Sequence, residues 1–405
     1  MKGIVSQRRG GAGSPHYLYR VPPSVLHVTQ PTVGGVPRCV IDVVTGQVEE
    51  GWRVTVASPN SGDLPGRIVA LGAQHETWPA GRVPGPPRLS EIVPWRHASE
   101  LVALRDIVTR VRPDVVHLHS TKAGMVGRVL LRGRLATLFQ PNGWSFLAVN
   151  GVPRRAACSW ERLASRWTTT LVCVSRREAA DAGAVGINGH RRVLPNAVDV
   201  DLFQLATDDD RRRVRAELGL GPGPLAVCVG RLSRQKGQDL LVNVWPAVRA
   251  AVPDAALALV GDGPARASLA RASGDGVSLV GQRHDVQAWL AAADLVVLPS
   301  RWEGMSYVML EAMASGRSVV ASDVGGAREV IDGGTTRAGA LVPPEDGHAL
   351  VAAVVERLTD AEVASTEGME GGRRARADHD IRYWREAMNG ITLDAMQDRP
   401  LSSSV

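Results

Sequence analysis

Residues 291–330 have the sequence AAADLVVLPSRWEGMSYVMLEAMASGRSVVASDVGGAREV, and their pattern predicts the fold class. Residues 295–298 are a short, continuous apolar run, which is typical of a parallel strand buried on both faces. Residues 305–315 favour a helix through their Met, Leu and Ala content, and residues 318–321 form a second apolar run. Strand, loop, helix and strand make a βαβ unit. The sequence therefore predicts an α/β protein with parallel sheets, whose ligands bind at the carboxyl ends of the strands.

Two glutamates flank the start of the predicted helix. Glu303 lies in the entry loop and Glu311 inside the helix, a little over two turns away, so the two carboxylates need not share one face. Between them the amides of Gly304, Met305 and Ser306 lie at the predicted helix N-terminus, where geometry and dipole favour an anion. Carboxylates on both sides of a phosphate pocket suit a nucleotide sugar, which carries hydroxyls at both ends. The alternative is two ordinary helix glutamates.

A glycine loop with two basic residues follows the apolar run 225–229. Its sequence, GRLSRQKG over residues 230–237, contains Arg231 and Lys236. Glycines admit a diphosphate close to the backbone, and fixed positive charges neutralise it. The spacing is not that of a P-loop. An exposed basic turn is the alternative.

The first half of the chain shows a related pattern. A predicted strand at residues 25–28 is followed by Gly34 and Gly35 and by a predicted helix over 36–50, but the full dinucleotide fingerprint is absent, so a tight turn is an equal alternative. In the strand predicted from residue 114, His117 and His119 share one face, and His119 lies at the carboxyl end.

Length and composition predict two domains, because a single core is unlikely at 405 residues. We expect a tail over residues 1–23, a first domain over 24–205, a linker over 206–223, a second domain over 224–375, and a C-terminal helix and tail over 376–405. The linker is predicted from a charged segment that turns rich in Gly and Pro.

Charge is distributed unevenly along the chain. Residues 1–200 contain 25 Lys and Arg against 13 Asp and Glu, whereas the remainder contains 22 against 28. A basic first half predicts an anionic partner, such as a membrane surface or a phosphorylated acceptor; solvated arginines without a partner are the alternative. The first 20 residues lack the apolar stretch of a signal peptide, and no apolar run approaches the ~18 residues of a membrane span. The four widely spaced cysteines suit a reduced protein. We therefore expect a cytoplasmic protein, peripheral at the inner membrane face.

These motifs together resemble the retaining glycosyltransferases of the GT-B fold, family 4, in the form found in bacterial capsular and exopolysaccharide synthesis. The resemblance runs from about residue 24 to residue 360. The E-x7-E motif appears at 303–311, the G-R-x4-K-G loop at 230–237, the N-G-V-D element at 196–199 as NAVD, and H-x-H-S-x-K-A-G at 117–124. Four motifs occur in the order that the family shows.

The resemblance implies two Rossmann-like domains that face each other across a cleft, with a role for each matching residue. The catalytic residues would be Glu303 and His119. The donor diphosphate would be bound by Arg231, Lys236, Gly34, Gly35, Gly304, Met305 and Ser306. Glu311 would bind the ribose, Gln282 and Arg283 would flank the base, and Lys122 and Asn142 would lie on the acceptor side.

The implied reaction moves a hexose from a nucleotide sugar, preferably a UDP-sugar, to a glycan or a polyprenyl-diphosphate-linked acceptor. The anomeric configuration would be retained, and neither a metal ion, a cofactor nor a nucleic acid is expected. Three positions depart from the family pattern: Met305 stands for Phe, Asn142 for His and Ala197 for Gly. Ala197 is harmless if the backbone there does not need a positive φ.

Two other functions stay open. A nucleotide-sugar epimerase of the same fold would need no acceptor and would release free sugar products. A non-catalytic nucleotide-sugar-binding protein is disfavoured by the complete set of Glu303, Arg231, Lys236 and Glu311. A nicotinamide dehydrogenase is a distant third, because neither half carries the dinucleotide fingerprint.

Overall fold

The computed structural model describes residues 21–81 and 97–398, which form two compact α/β units. The first unit holds the described residues up to Cys173, together with Asp181–Leu194 and the chain from Arg385. The second holds Val174–Ala180 and Pro195–Trp384. Each unit contains one parallel sheet.

The first sheet has seven strands in the order β3-β2-β1-β4-β5-β6-β7. All neighbouring strands in it pair in parallel. The strands are β1 (Ser24–Thr29), β2 (Arg53–Ser58), β3 (Gln74–Thr77), β4 (Val115–His119), β5 (Ala136–Gln140), β6 (Thr170–Cys173) and β7 (Arg191–Val193).

The second sheet has six strands in the order β10-β9-β8-β11-β12-β13, again all parallel. The strands are β8 (Leu225–Val229), β9 (Ala256–Val260), β10 (Val277–Gly281), β11 (Leu295–Leu298), β12 (Ser318–Ser322) and β13 (Gly339–Val342).

Helices connect the strands, as parallel pairing requires, since two parallel neighbours need a crossover. Those up to β7 are α1 (Gly35–Glu49), α2 (Leu64–Ala70), α3 (Ala98–Val111), α4 (Ser120–Leu131), α5 (Gly151–Ala164) and α6 (Arg176–Ala184). Those that follow are α7 (Asp208–Glu217), α8 (Gln238–Ala251), α9 (Arg266–Ala272), α10 (Val286–Ala292), α11 (Tyr307–Ala314), α12 (Ala327–Ile331), α13 (Gly347–Thr359), α14 (Ala361–Asp378) and α15 (Ile381–Gln397).

The second sheet is covered on both faces, which explains its continuous apolar strands. Along β8, Val227 and Val229 pack into one apolar cluster, and Ala226 and Cys228 pack into another. Successive side chains of a strand point to opposite faces, so the two clusters lie on opposite sides of the sheet. Both faces are therefore core, and the predicted α/β class with two parallel sheets is confirmed.

Two segments differ from the expectation. The predicted linker 206–223 contains α7, whose N-terminus has a capping box: Thr207 accepts from the amide of Asp210, and the Asp210 carboxylate accepts from the amide of Thr207. α14 continues to Asp378, past the predicted end of the second domain at residue 375, and its buried Glu367 accepts from Arg357 at 2.6 Å. Of the predicted tail 1–23, residues up to 20 lie outside the described part.

Candidate functional site

The carboxyl edge of the second sheet contains a topological switch point. β8 lies between β9 and β11, so the connection after β8 runs one way along the sheet and the connection after β11 runs the other. Crevices for ligands open at such points in α/β sheets. The loop after β8 holds Arg231 and Lys236, and the loop after β11 holds Glu303.

Backbone contacts fix these two loops against each other. Gly237, which ends the β8 loop, has a φ of 69°. A Cβ built on it would lie 1.9 Å from the carbonyl oxygen of Pro299, so only glycine fits at this position. The amide of Arg301 donates to the carbonyl of Gln235 at 2.8 Å. The loop geometry is thus set by backbone, independently of the side chains that would contact a ligand.

Lys236 and Glu303 meet across the switch point. The Lys236 ammonium donates to Oε1 of Glu303 at 2.5 Å, and the hydroxyl of Ser300 donates to the same oxygen at 2.9 Å. Both charged side chains are mostly buried, with 24% of the Lys236 side chain and 13% of the Glu303 side chain exposed. Half-buried Arg231 follows Gly230 at the end of β8. The sequence singled out Glu303 and Lys236 but gave no reason to include Ser300.

The helix after Glu303 begins later than the sequence predicted. α11 starts at Tyr307 with Ser306 as N-cap, two residues after the predicted start at Met305. The carbonyl of Gly304 accepts from the amide of Gly326 at 2.7 Å, and the carbonyl of Met305 accepts from Nδ2 of Asn196 at 2.9 Å. The first-turn amides therefore begin at Tyr307, and Gly304 and Met305 belong to the loop before the helix.

Glu311 and the loop after β10 occupy different environments. Glu311 lies inside α11 and is 5% exposed. Gln282 and Arg283 are exposed, and the Arg283 guanidinium forms a two-pronged contact with Asp285, with distances of 2.8 and 2.6 Å. This hydrogen-bonded pair lowers the pKa of Asp285 and raises the pKa of Arg283.

In the first unit the glycine pair follows β1, and α1 begins at Gly35. Gly34 has a φ of 102°, which favours glycine, and a Cβ added there would meet no atom within 4 Å. The position is exposed. Backbone at this strand end is thus accessible, as a close approach by a ligand requires.

His119 ends β4 and is fully buried. Its Nε2 lies 3.0 Å from Nδ1 of His27, whose Nε2 contacts Oε1 of Gln47 at 2.8 Å. Burial lowers the pKa of His27 to about 4, although the hydrogen bond that His27 donates to Gln47 opposes this shift. Burial also holds the pKa of His119 well below its ordinary value, and charge on His117 and His27 adds to that effect. Burial, with charge on His27 adding to it, also holds the pKa of His117 well below its ordinary value, so the surroundings favour the neutral form of all three imidazoles.

The two predicted acceptor-side residues have structural partners. Lys122 donates to the carbonyl of Gly81 at 2.6 Å and to Oε1 of Glu100 at 2.9 Å. Asn142 follows β5 with a φ of 53°, and its Nδ2 donates to the carbonyl of Gln140 at 3.2 Å. Ala197, which departs from the family motif, is not among the residues with positive φ, as that departure requires.

Two family models match this chain. The model described as Glycosyltransferase Family 4 matches residues 33–202, and the model described as Glycosyl transferases group 1 matches residues 223–360. The chain belongs to the family 4 glycosyltransferases. The family predicted from the four motifs is thereby confirmed.

Curated relatives of this family 4 member include mannosyltransferases. It is 36% identical over 244 residues, 56% of the chain, to the GDP-mannose-dependent alpha-(1-6)-phosphatidylinositol monomannoside mannosyltransferase of Mycolicibacterium smegmatis. It is 31% identical over 248 residues, 58% of the chain, to the lipopolysaccharide core biosynthesis mannosyltransferase LpsB of Rhizobium meliloti. The matches cover 61% and 65% of those relatives, so the chain spans somewhat less than two thirds of their length.

Solved structures support the GT-B fold of this family 4 member. Sucrose-phosphate synthase of Thermosynechococcus elongatus has a TM-score of 0.78 at 24% identity, over 93% of this chain and all of that one. HepE of Anabaena, in complex with UDP and glucose, has a TM-score of 0.75 at 20% identity, over 91% of this chain and 99% of that one. In the ranges 21–81 and 97–398, no helix combines the length and the apolar character that crossing a bilayer demands.

Proposed function

We propose that this protein transfers a hexose from a nucleotide sugar to a glycan or lipid-linked acceptor. The observation that carries the proposal is the contact between Lys236 and Glu303 across the switch point of the second sheet. It puts a cation and a carboxylate side by side at the strand edge where α/β proteins bind nucleotides. A ligand with an anionic diphosphate and neutral sugar hydroxyls matches both groups.

The donor half of the mechanism follows from these charges. When the bond between the anomeric carbon and the diphosphate oxygen breaks, negative charge develops on the leaving diphosphate. Lys236 and Arg231 offset that charge, and the amides of the first turn of α11 add partial positive charge. Glu303 accepts hydrogen bonds from sugar hydroxyls, and Glu311 is assigned to the ribose. Because the two cations offset the leaving-group charge, we assign no metal ion to this step.

In the acceptor half, His119 is assigned to the reacting sugar, and Gly34 and Gly35 to the diphosphate. We further propose that the anomeric configuration is retained, since the E-x7-E motif resembles that of retaining enzymes. A polyprenyl-diphosphate-linked glycan is the acceptor that suits the basic first half. Lys122 and Asn142 keep an acceptor-side role only if a ligand displaces their present partners.

The nucleotide base of the donor is the part of the proposed substrate for which the site gives the least information. The sequence predicts a UDP-sugar, and Gln282 and Arg283 would flank the base. The mycobacterial and corynebacterial relatives, however, are named as GDP-mannose-dependent. GDP-mannose and UDP-glucose are therefore the first two donors to compare.

Thermal stabilisation by nucleotide sugars tests the donor site. A ligand that binds only the folded state at 100 times its Kd stabilises by ~2.7 kcal/mol, which raises the melting temperature by several degrees. We expect one base class among UDP-, GDP- and ADP-sugars to stabilise the parent. Arg231→Ala should lose this shift, whereas Arg234→Ala, an exposed arginine of the same loop, should keep it. No shift with any sugar at millimolar concentration would contradict the donor assignment.

Product analysis then separates the three functions that the fold allows. A transferase releases nucleoside diphosphate in step with a glycosylated acceptor, and the new linkage keeps the donor's anomeric configuration. An epimerase gives free sugar products without an acceptor. A binding protein shifts the melting temperature and gives no product.

We also propose that the first unit contacts an anionic membrane surface. α3 and the end of α4 border a surface cavity of about 390 Å³, lined by Arg105, Arg132 and Arg134 with four apolar side chains. Arginines beside apolar groups suit anionic headgroups above acyl chains. Acceptors linked to a lipid diphosphate would be reached from such a surface.

Liposome binding tests this contact. Changing both Arg105 and Arg132 to Gln removes two charges, each worth ~1 kcal/mol at an anionic surface, so binding to phosphatidylglycerol vesicles in low salt should weaken roughly tenfold or more. Changing Arg212 and Arg213 of α7 to Gln is the charge-matched control and should have little effect. Equal binding by both double variants would rule out this surface.

A further inference from the structure

Three buried histidines lie together on one face of the first sheet. His27 is on β1, and His117 and His119 are on β4. The strand register pairs His27 with His117 and Thr29 with His119, and alternate residues of a strand share a face. All three side chains are fully buried. This histidine cluster therefore combines residues that are up to 92 positions apart.

The nitrogens of the histidine cluster are close enough to share one ion. Nδ1 of His27 and Nε2 of His119 are 3.0 Å apart. The rings of His117 and His119 stack with centroids 3.9 Å apart. One nitrogen from each of the three rings can be chosen so that all three lie within 4.8 Å of one another.

Hydrogen bonding within the described residues leaves part of the histidine cluster unsatisfied. Neither ring nitrogen of His117 makes a hydrogen bond of normal geometry, although the side chain of Gln140 on β5 interacts with this ring. Nδ1 of His119 also lacks such a bond. Buried polar atoms without partners are uncommon in folded proteins and indicate an ion or water that would satisfy them. Three unsatisfied nitrogens in one buried cluster therefore point to a ligand.

The surroundings of His27 match those of a metal ligand. Gln47 of α1 places its carbonyl oxygen 2.8 Å from Nε2 of His27, so Nε2 carries the proton and Nδ1 presents its lone pair to the cluster. Metal-binding histidines commonly donate their second N–H to a carbonyl or carboxylate in this way, which fixes the tautomer and the ring orientation.

We propose that His27, His117 and His119 bind one first-row divalent cation of the Zn²⁺ type. Neutral imidazoles suit Zn²⁺, and a three-histidine set completed by water is an established zinc arrangement. Ligand nitrogens ~2.0–2.1 Å from a tetrahedral zinc ion are about 3.3 Å apart. His27 and His119 would need to separate by only a few tenths of an ångström, while His117 turns one nitrogen toward them.

Metal binding would change the hydrogen-bonding character of His119. Without an ion, Nε2 donates to His27 and Nδ1 is an acceptor. With the ion on Nε2, the proton of the neutral ring must be on Nδ1, which becomes a donor. No metal ion was expected from the sequence, and this site departs from that expectation. The histidine cluster shares His119 with the proposed transfer mechanism, but its occupancy is measured without donor or acceptor.

Metal content tests the proposal directly. The full chain, produced without a polyhistidine tag, is dialysed against chelator, loaded with Zn²⁺ or Co²⁺ and passed over a desalting column. We expect one ion per chain by mass spectrometry, a higher melting temperature, and visible Co²⁺ absorption of four-coordinate type. His117→Asn should retain less than about a tenth of an equivalent, at least tenfold below the parent. His75→Asn is the control, because half-buried His75 contacts Ser58 outside the cluster.

Either of two results would overturn the proposal. One is a parent chain that retains no ion and shows no four-coordinate Co²⁺ spectrum, which decides the matter even if His117→Asn does not fold. In that case His27 and His119 form a neutral hydrogen-bonded pair, and the His117 ring stacks on His119. The other is equal retention by the parent and a folded His117→Asn variant, which would place the ion at surface histidines. A failed donor panel with normal metal retention would count against the proposed function and leave the metal site standing.

Discussion

Glu303→Gln is expected to lower the rate of sugar transfer by about 100-fold or more, while the chain stays folded. The carboxylate accepts from Lys236 and from Ser300 through one oxygen. Glutamine keeps the shape but loses the charge, and if its amide nitrogen faces Lys236, two donors oppose each other. The substitution therefore removes the carboxylate assigned to the donor sugar. It also removes the partner that holds Lys236, the cation assigned to the leaving diphosphate. The measurement is the initial rate with the donor that the thermal panel identifies.

Glu345→Gln is the matched control for Glu303→Gln. Glu345 accepts from Arg301 at 2.9 Å and follows β13 at the same edge of the sheet, so the substitution makes the same chemical change outside the proposed donor contacts. We expect its transfer rate to stay within about twofold of the parent. If the Glu303→Gln and Glu345→Gln variants transfer sugar at the same rate and bind the donor equally well, Glu303 has no role in the mechanism.

Among the substitutions proposed for this protein, Glu161→Gln should lower the free energy of unfolding the most, by about 3–5 kcal/mol. Glu161 on α5 accepts two hydrogen bonds from Arg128 on α4, at 3.0 and 2.8 Å, and the side chains are only 2% and 1% exposed. The Arg128 guanidinium also lies 3.9 Å from the ring centroid of Phe139. Neutralising Glu161 leaves a buried, uncompensated charge. The melting temperature should fall by roughly 10 °C.

Two further variants show whether this loss comes from the buried charge. Glu76→Gln removes the carboxylate that pairs with exposed Arg110 in the same unit, and it should cost less than about 1 kcal/mol. Changing Arg128 to Met together with Glu161 to Leu removes both charges and should recover much of the stability lost in the single variant. A double variant less stable than Glu161→Gln would show that packing around Arg128, not its charge, dominates.

The strands were predictable because both faces of each sheet are buried. The predicted strands at 225–229 and 295–298 coincide with β8 and β11, since a parallel strand between two helical layers must be apolar throughout. The positions of the loops at the carboxyl ends of these strands could be predicted for a related reason, because glycine and charge directly after such an apolar run are typical of a ligand loop.

Elements that depend on polar or distant contacts were missed. α7 has no apolar stripe; it is stabilised by its capping box and by ion pairs such as that of Arg213 with Asp210, and the Thr-x-x-Asp spacing was the signal available. The start of α11 is delayed because Asn196, 109 positions away, binds a loop carbonyl. His27 and Gln47 belonged to no motif, and only the register of β1 against β4 brings His27 to His119.

The pairing of Lys236 with Glu303 has a practical consequence for handling the protein. The chain contains only three lysines, Lys2, Lys122 and Lys236. Lys122 is paired with Glu100 and Lys236 with Glu303, and Lys236 lies at the proposed donor edge. Amine-reactive reagents therefore find few lysines to modify, and one of these is Lys236, which is assigned to the diphosphate. This applies to coupling to a sensor chip, a fluorophore or a crosslinker. Ligand-binding assays on this protein need attachment through a terminus instead.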